Sequence, residues 1–335
     1  MERGLLSSPD LAPHYDDVVW MYLFQDFSHS KNDRAAERVA IRFGISAWPQ
    51  HVLIDPASLK ILGDTGRELK TFARAVAASS QLVVAASPDD KVGSIEALPD
   101  EDLRASDQLA AKLQQSKDTA LAKSSLTHQD RVVRYLAVLA LADSEPQSIV
   151  AAAAKLLQEP HDQTRFLVLK TLATHGNSTF ARELDSVLAD PEPSMNPNVV
   201  RYHAARALAK CGDAASLAML ARFGVGGAPN NNLTATCLDS IAAIGLRNRD
   251  VAKRARALLI AAFPEPVATA VASTEEQQPK QDPKHVRRIH AMRLRLAERV
   301  HELLGALTSD AKPFPELEAE HYDRAARERL VAMWQ

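Results

Sequence analysis

Apolar positions follow two different rhythms along this chain. Before residue 80 they gather in short continuous runs: Val18-Val19-Trp20-Met21-Tyr22-Leu23-Phe24, ended by Gln25-Asp26, then Val52-Leu53-Ile54, stopped by Asp55-Pro56, then Lys60-Ile61-Leu62, stopped by Gly63-Asp64. Runs of this length between turn formers predict strands, the last two as a short antiparallel pair. Between the first two runs, Asp33 to Gly44 carries apolar residues at helical spacing, with Asp33 placed to cap the segment and Gly44 to end it. Arg67 to Ala78 predicts another helix, so residues 1–80 read helix, strand, helix, strand, strand, helix. Of the 3 Trp, 5 Tyr and 9 Phe, eight lie in this stretch, where strand content should concentrate. From about residue 100 the spacing is helical throughout, after a polar, turn-forming boundary from Pro88 to Asp100. A second break, Pro264 to Pro283, has the Pro, Gln, Glu and Ser content of a flexible linker. Two amphipathic helices are predicted beyond it, His285–Leu307 and Glu316–Trp334.

The helical part repeats itself. Arg134-Tyr135, Arg165-Phe166 and Arg201-Tyr202 each open a segment with an apolar residue at +3 and Leu at +7, and the second and third add Gly at +11, Gly176 and Gly212. A fourth copy keeps Cys237, Ile241 and Gly245 at these positions, counted from Thr234, and lacks the Arg. Positions +3 and +7 share one helical face, and the glycine is expected to end the helix. A shorter second helix should then pack back, as in Ser178–Leu188 and Ala214–Phe223. One such pair cannot bury both of its faces, so pairs stack. An ordinary bundle with coincidental periodicity is the competing account; four copies in one register speak for the repeat.

Asn198-Val199-Val200-Arg201-Tyr202-His203-Ala204-Ala205-Arg206-Ala207-Leu208-Ala209-Lys210-Cys211-Gly212-Asp213 resembles a HEAT-type repeat, and the resemblance extends over roughly residues 105–263. It implies an α-solenoid of helix pairs whose faces bind partners, and it implies no chemistry. Phe43-Gly44-Ile45-Ser46-Ala47-Trp48-Pro49-Gln50-His51-Val52-Leu53-Ile54 resembles the thioredoxin superfamily, in which a helix ends in aromatic-Gly-aliphatic and a loop reaches a cis-proline just before a strand. Pro49 stands at that proline, and Gln50 departs from the common Thr. Met1-Glu2-Arg3 through Val18-Val19 resembles the segment that follows the family's Cys-x-x-Cys. The resemblance therefore implies a truncated thioredoxin-like α/β domain whose central strand and cysteine pair lie upstream, with Met1 an internal methionine. The competing account is a degenerate domain that pairs its remaining strands directly. The expected organisation is an incomplete thioredoxin-like domain over 1–86, HEAT-like repeats over 101–263, a linker over 264–284 and a C-terminal helical extension over 285–335.

Composition narrows the function. The formal net charge is −2, from 40 basic and 42 acidic residues, so no global field gathers nucleic acid or anionic membrane. Gly is scarce at 12 while Ala numbers 56, which favours closely packed helices. No run of about 18 apolar residues offers a membrane span. The start of the chain has no secretory signal, and the compartment stays open, extracytoplasmic included if the natural start lies upstream.

The candidate chemistry is sparse. Cys211 and Cys237 lie 26 residues apart on successive repeats, where small buried apolar side chains are the expectation over a redox pair. Trp48, Pro49 and Gln50 are the candidate binding residues, since a cis-proline loop exposes backbone for strand-like pairing; a turn kept for folding is the alternative. The eleven histidines form no ligand set: His301-Glu302 lacks a second His four residues on, and His128 and His161 precede repeat helices as turn residues. His29 reads as part of a surface loop. The Gly-rich stretch from Gly224 to Asn232 lacks the Lys-Ser/Thr of a phosphate loop and reads as a turn, with Asn232 at the next helix start. Two basic clusters remain: Arg247, Arg249, Lys253, Arg254 and Arg256, and then Lys284, Arg287, Arg288, Arg293, Arg295 and Arg299. Solvated helix faces are their first reading, because no aromatics interleave for base stacking.

The expected function is a non-catalytic protein-interaction scaffold with its partner on the solenoid surface and neither cofactor nor metal. Arg134, Arg165 and Arg201 are expected to tie neighbouring repeats together. The alternative is a thiol–disulfide oxidoreductase whose Cys-x-x-Cys is encoded upstream of Met1. Nucleic-acid binding through the basic helices is the third reading.

Overall fold

A computed structural model describes residues 31–43, 52–54, 61–64, 71, 74–75, 78, 100–159, 162–190, 197–226, 232–265, 283–310, 312–318 and 321–335. These residues are predominantly helical. In chain order the elements are α1 (Lys31–Arg42), β1 (Val52–Ile54), β2 (Ile61–Asp64), α2 (Asp100–Gln115), α3 (Thr119–Ser125), α4 (Arg131–Leu141), α5 (Pro146–Leu156), α6 (Asp162–His175), α7 (Ala181–Ala189), α8 (Pro197–Cys211), α9 (Ser216–Gly224), α10 (Asn232–Arg247), α11 (Arg249–Ala261), α12 (Pro283–Thr308) and α13 (Arg324–Trp334). The chain divides into two compact units, residues 1–152 with 158–165, and residues 153–157 with 166–335. The division runs through α5 and α6.

In the first unit, β1 and β2 form the expected antiparallel pair, in the register Val52–Asp64, Leu53–Gly63 and Ile54–Ile61, with an irregularity between Leu53 and Ile54. Strand Val18–Phe24 and most of the helix expected at Arg67–Ala78 lie outside the described residues. Helix α1 begins at Lys31, so Asp33 sits inside its first turn and does not cap it. Ala40 and Phe43 bury themselves with Val39, Val52 and Ile54. The same helix packs against α4. Its Arg42 forks between Asp107 at 3.2 Å and Asp130 at 2.9 Å. Asp130 is also the N-cap of α4, where Oδ1 accepts from the Val132 N–H at 2.8 Å. One carboxylate thus fixes both a helix start and the helix docked across it.

In the second unit, α8 packs on α10, α7 on α8 and on α9, and α10 is further covered by α9, α11 and α12. In each unit by itself the repeat register places the core as expected: Ala137 and Leu141 in the first, and Val168, Leu172, Ala204, Leu208, Cys237 and Ile241 in the second, are all fully buried. Two of the glycines at +11 stand where expected, Gly176 directly after the last residue of α6 and Gly212 directly after that of α8, whereas Gly245 lies inside α10. None of the three takes a left-handed conformation; among the described residues only Ser309 and Gly226 have positive φ. Gly176 and Gly212 still donate to the carbonyls of Leu172 (2.9 Å) and Leu208 (2.8 Å), and α10 runs past Gly245 to Arg247. What these positions require is closeness. A Cβ at Gly176 would stand 2.5 Å from Cys211 Sγ, one at Gly212 2.7 Å from Ile244 Cδ1, and one at Gly245 2.7 Å from Ala255 Cβ. They are contact points between packed helices.

The C-terminal residues close this unit. Trp334 is buried and its indole N–H donates to His301 Nδ1 at 2.9 Å. His301 Nε2 lies 2.6 Å from the Lys312 carbonyl, so both ring nitrogens have a hydrogen-bond partner. Tyr322 donates to the Pro264 carbonyl at 2.9 Å. These contacts hold residues 312–318 out of helix, and α13 starts only at Arg324, behind its N-cap Asp323 (Oδ1 to Ala326 N, 2.7 Å). The helix expected from Glu316 is therefore shorter. Phe314, edge-on to His301 at 5.2 Å, is part of the reason.

Candidate interaction surface

The expected binding residues Trp48, Pro49 and Gln50, the loop around His29, and residues 227–231 of the Gly-rich turn lie outside the described residues. Both cysteines are free and buried. Burial pushes the Cys211 thiol up to about 11 and the Cys237 thiol up to about 12, far from the thiolate that redox chemistry needs. Among the described residues no group of His, Cys, Asp or Glu is arranged to hold a metal ion, and no helix is long and apolar enough to cross a membrane.

The arginines at the repeat starts are internal struts. Arg134 is buried and donates to the carbonyls of His128 and Gln129 (2.6 Å for the latter), while its second amino group reaches Glu159 at 2.8 Å. That joins the start of α4 to the connector after α5. Arg201 donates to the Asp190 carbonyl, in the connector after α7, and its guanidinium lies over the Phe223 ring of α9 at 5.6 Å. Arg165 is buried and likewise has a partner.

Much of the two basic clusters is occupied in the same way. Arg247 donates to the Ala209 carbonyl and to that of Gly212 at 2.9 Å, closing the C-terminal end of α8, where a cation also suits the helix dipole. Arg256 donates to the Trp334 carbonyl and Arg293 to that of Glu265 at 2.6 Å. Arg299 bridges Asp239 and Glu302, both at 2.9 Å. Lys253, Arg288 and Arg295 are exposed.

Among the described residues, one open face belongs to α6 and α8; Leu139 and Leu246 are exposed elsewhere. Phe166 and Tyr202, the aromatic residues at +1 of their repeats, are only half-buried, and both rings meet His203 edge-on, at 4.3 and 4.8 Å. Val199, one turn before His203, is 48% exposed. Lys170 and Arg206 are exposed at the rim. His203 Nδ1 is shielded from water and has no hydrogen-bond partner. Burial first, then the charges of Arg206 and Lys170, hold this imidazole down at about 4. It is neutral near pH 7. The surface therefore combines aromatic edges, an exposed aliphatic and two cations, above an imidazole nitrogen that is shielded from water.

The low His203 value has a consequence for stability. The unfolded side chain titrates near 6.5 and the folded one near 4, so the unfolded state takes up the proton first as pH falls. The contribution is complete above about pH 6.5 and is lost progressively down to about pH 4. Solvent at this half-buried ring screens part of the effect. Thermal unfolding followed across this window should show a smaller fall in midpoint for His203→Gln than for the parent chain. Parallel slopes would contradict the assignment.

Sequence reasoning placed Phe166 and Tyr202 in register but did not gather them with His203, Lys170 and Arg206 as a site. One signal was present: α8 contains no acidic residue, and α6 only Asp162 at its first position. Compared with known protein families, with curated proteins and with solved structures, the chain matches none.

Proposed function

We propose that this chain is a non-catalytic protein-interaction scaffold whose helix pairs are HEAT-like and stack as a solenoid, preceded by a degenerate or truncated thioredoxin-like segment. The observation that carries the interaction role is the open face of α6 and α8, where Val199 stands 48% exposed beside half-buried Phe166 and Tyr202. Apolar and aromatic side chains left at a surface and rimmed by charge are the composition of an interface core. The repeat reading is supported by the full burial of every +3 and +7 residue and by glycines at the points where helices approach. The thioredoxin-like reading is supported by the order helix, strand, antiparallel strand over α1, β1 and β2.

A photo-crosslinking amino acid placed at Val199 in the producing cell tests the interaction role, with the exposed Lys253 as control position. A discrete protein adduct should form from position 199, should be weak or missing from position 253, and should be lost when Tyr202→Ala is added. If position 199 gives no protein adduct, or if the full chain reduces insulin disulfides at a rate typical of a dithiol oxidoreductase, the scaffold reading is wrong.

A further inference from the structure

Within its first unit the chain already carries an example of what covers a repeat's aromatic position. Tyr135 stands at +1 of its repeat, as Phe166 and Tyr202 do in theirs, and α1 packs against its helix. Ala36, Ala40 and Ile41 of α1 are buried, and Tyr135 is only 8% exposed. Burial and then the nearby Glu37 carboxylate push the Tyr135 phenol up to about 12. Helix α1, with Glu37 near the phenol, thus packs on the helix that carries the first of these positions, and there the aromatic is buried.

The equivalent aromatics of α6 and α8 are half-buried and lie in cationic surroundings. Lys170 and Arg206 are exposed, Lys210 is exposed one turn further along, and α8 contributes no acidic side chain. Asp239 of α10 is paired with Arg299. We propose that the α6–α8 face docks an acidic amphipathic helix of a partner protein. Its apolar side should lie on Phe166, Tyr202 and Val199, and its carboxylates should meet Lys170 and Arg206. Charge complementarity selects an acidic over a basic helix. This inference rests on the scaffold reading and makes it specific.

The test uses the full chain and three synthetic fluorescent helices that share one face of Ala, Ile and Phe and differ only in carrying Glu, Gln or Lys on the other. Anisotropy should rank the Glu helix tightest, with binding that weakens as salt is raised. The exposed pair Lys170→Glu with Arg206→Glu, which leaves the fold intact, should weaken the Glu helix by at least about tenfold and turn the preference toward the Lys helix. The inference is overturned if none of the three binds or if the Lys or Gln helix binds as tightly as the Glu helix. It is also overturned if the charge reversal leaves the ranking unchanged, or if sedimentation shows the same face closed by a second copy of the chain. A Gln helix that binds best and is lost with Tyr202→Ala would remove the acidic partner while leaving the scaffold reading standing. A missing cross-link at Val199 would remove the scaffold reading itself.

Discussion

Replacing Glu159 with Ala is expected to cost about 3 kcal/mol of stability, the range seen when one partner of a buried ion pair is removed. The side chains of Arg134 and Glu159 are only 11% and 6% exposed, so the guanidinium left behind cannot recover its charge solvation from water. The loss comes from the stranded cation more than from the bond itself. Replacing both residues, Arg134→Met with Glu159→Leu, should therefore recover a large part of the loss. Recovery will stop short of complete, because Arg134 also serves the carbonyls of His128 and Gln129. Urea unfolding of the two variants beside the parent chain reads both numbers. A cost below about 1 kcal/mol for Glu159→Ala would mean that the pair behaves as an exposed one.

Gly245→Val should destabilise by about 3 kcal/mol, and Gly245→Ala should also destabilise, against the trend of helix propensity. In an unconstrained helix Ala is better than Gly by about 1 kcal/mol. Here the new Cβ would stand 2.7 Å from Ala255 Cβ and 2.9 Å from Leu307 Cδ1. Leu307 can rotate away, whereas the Ala255 methyl is fixed to the backbone of α11 and can yield only by moving the helix. Overpacking of this kind costs about 1–3 kcal/mol per site. The sign of the Ala substitution is the informative part: stabilisation would show that α10 and α11 do not approach at this glycine.

These two sites illustrate what could be read from the chain and what could not. The +3 and +7 residues reveal themselves because their spacing alone puts them on one face, and all of them are buried. A glycine at +11 announces only that a small residue is wanted. Whether the reason is a left-handed turn or a neighbouring helix depends on Ile244 or Ala255, which lie in other elements. The arginine clusters were opaque for the same reason. Arg256 meets the carbonyl of Trp334, 78 residues away, and Arg299 meets Asp239, 60 residues away. Asp33 precedes an apolar periodicity as a cap would, yet α1 starts two residues earlier. Asp323 does cap, but the expected start at Glu316 overlooked the tertiary pull of Phe314 and Tyr322. At the candidate surface, the aromatics were visible as a repeat feature. The solvent-shielded Nδ1 of His203 and its two neighbouring cations emerge only when α6 and α8 are brought side by side.

The central claim is that aromatic residues at equivalent sequence positions are buried at Tyr135 and left accessible at Phe166 and Tyr202. Hydroxyl-radical footprinting of the full chain reads it directly, since oxidation of an aromatic ring follows its exposure. The account predicts that Tyr135 stays unmodified while Phe166 and Tyr202 are oxidised. Tyr135 reacting as fast as Tyr202, or all three rings being equally protected, would contradict it.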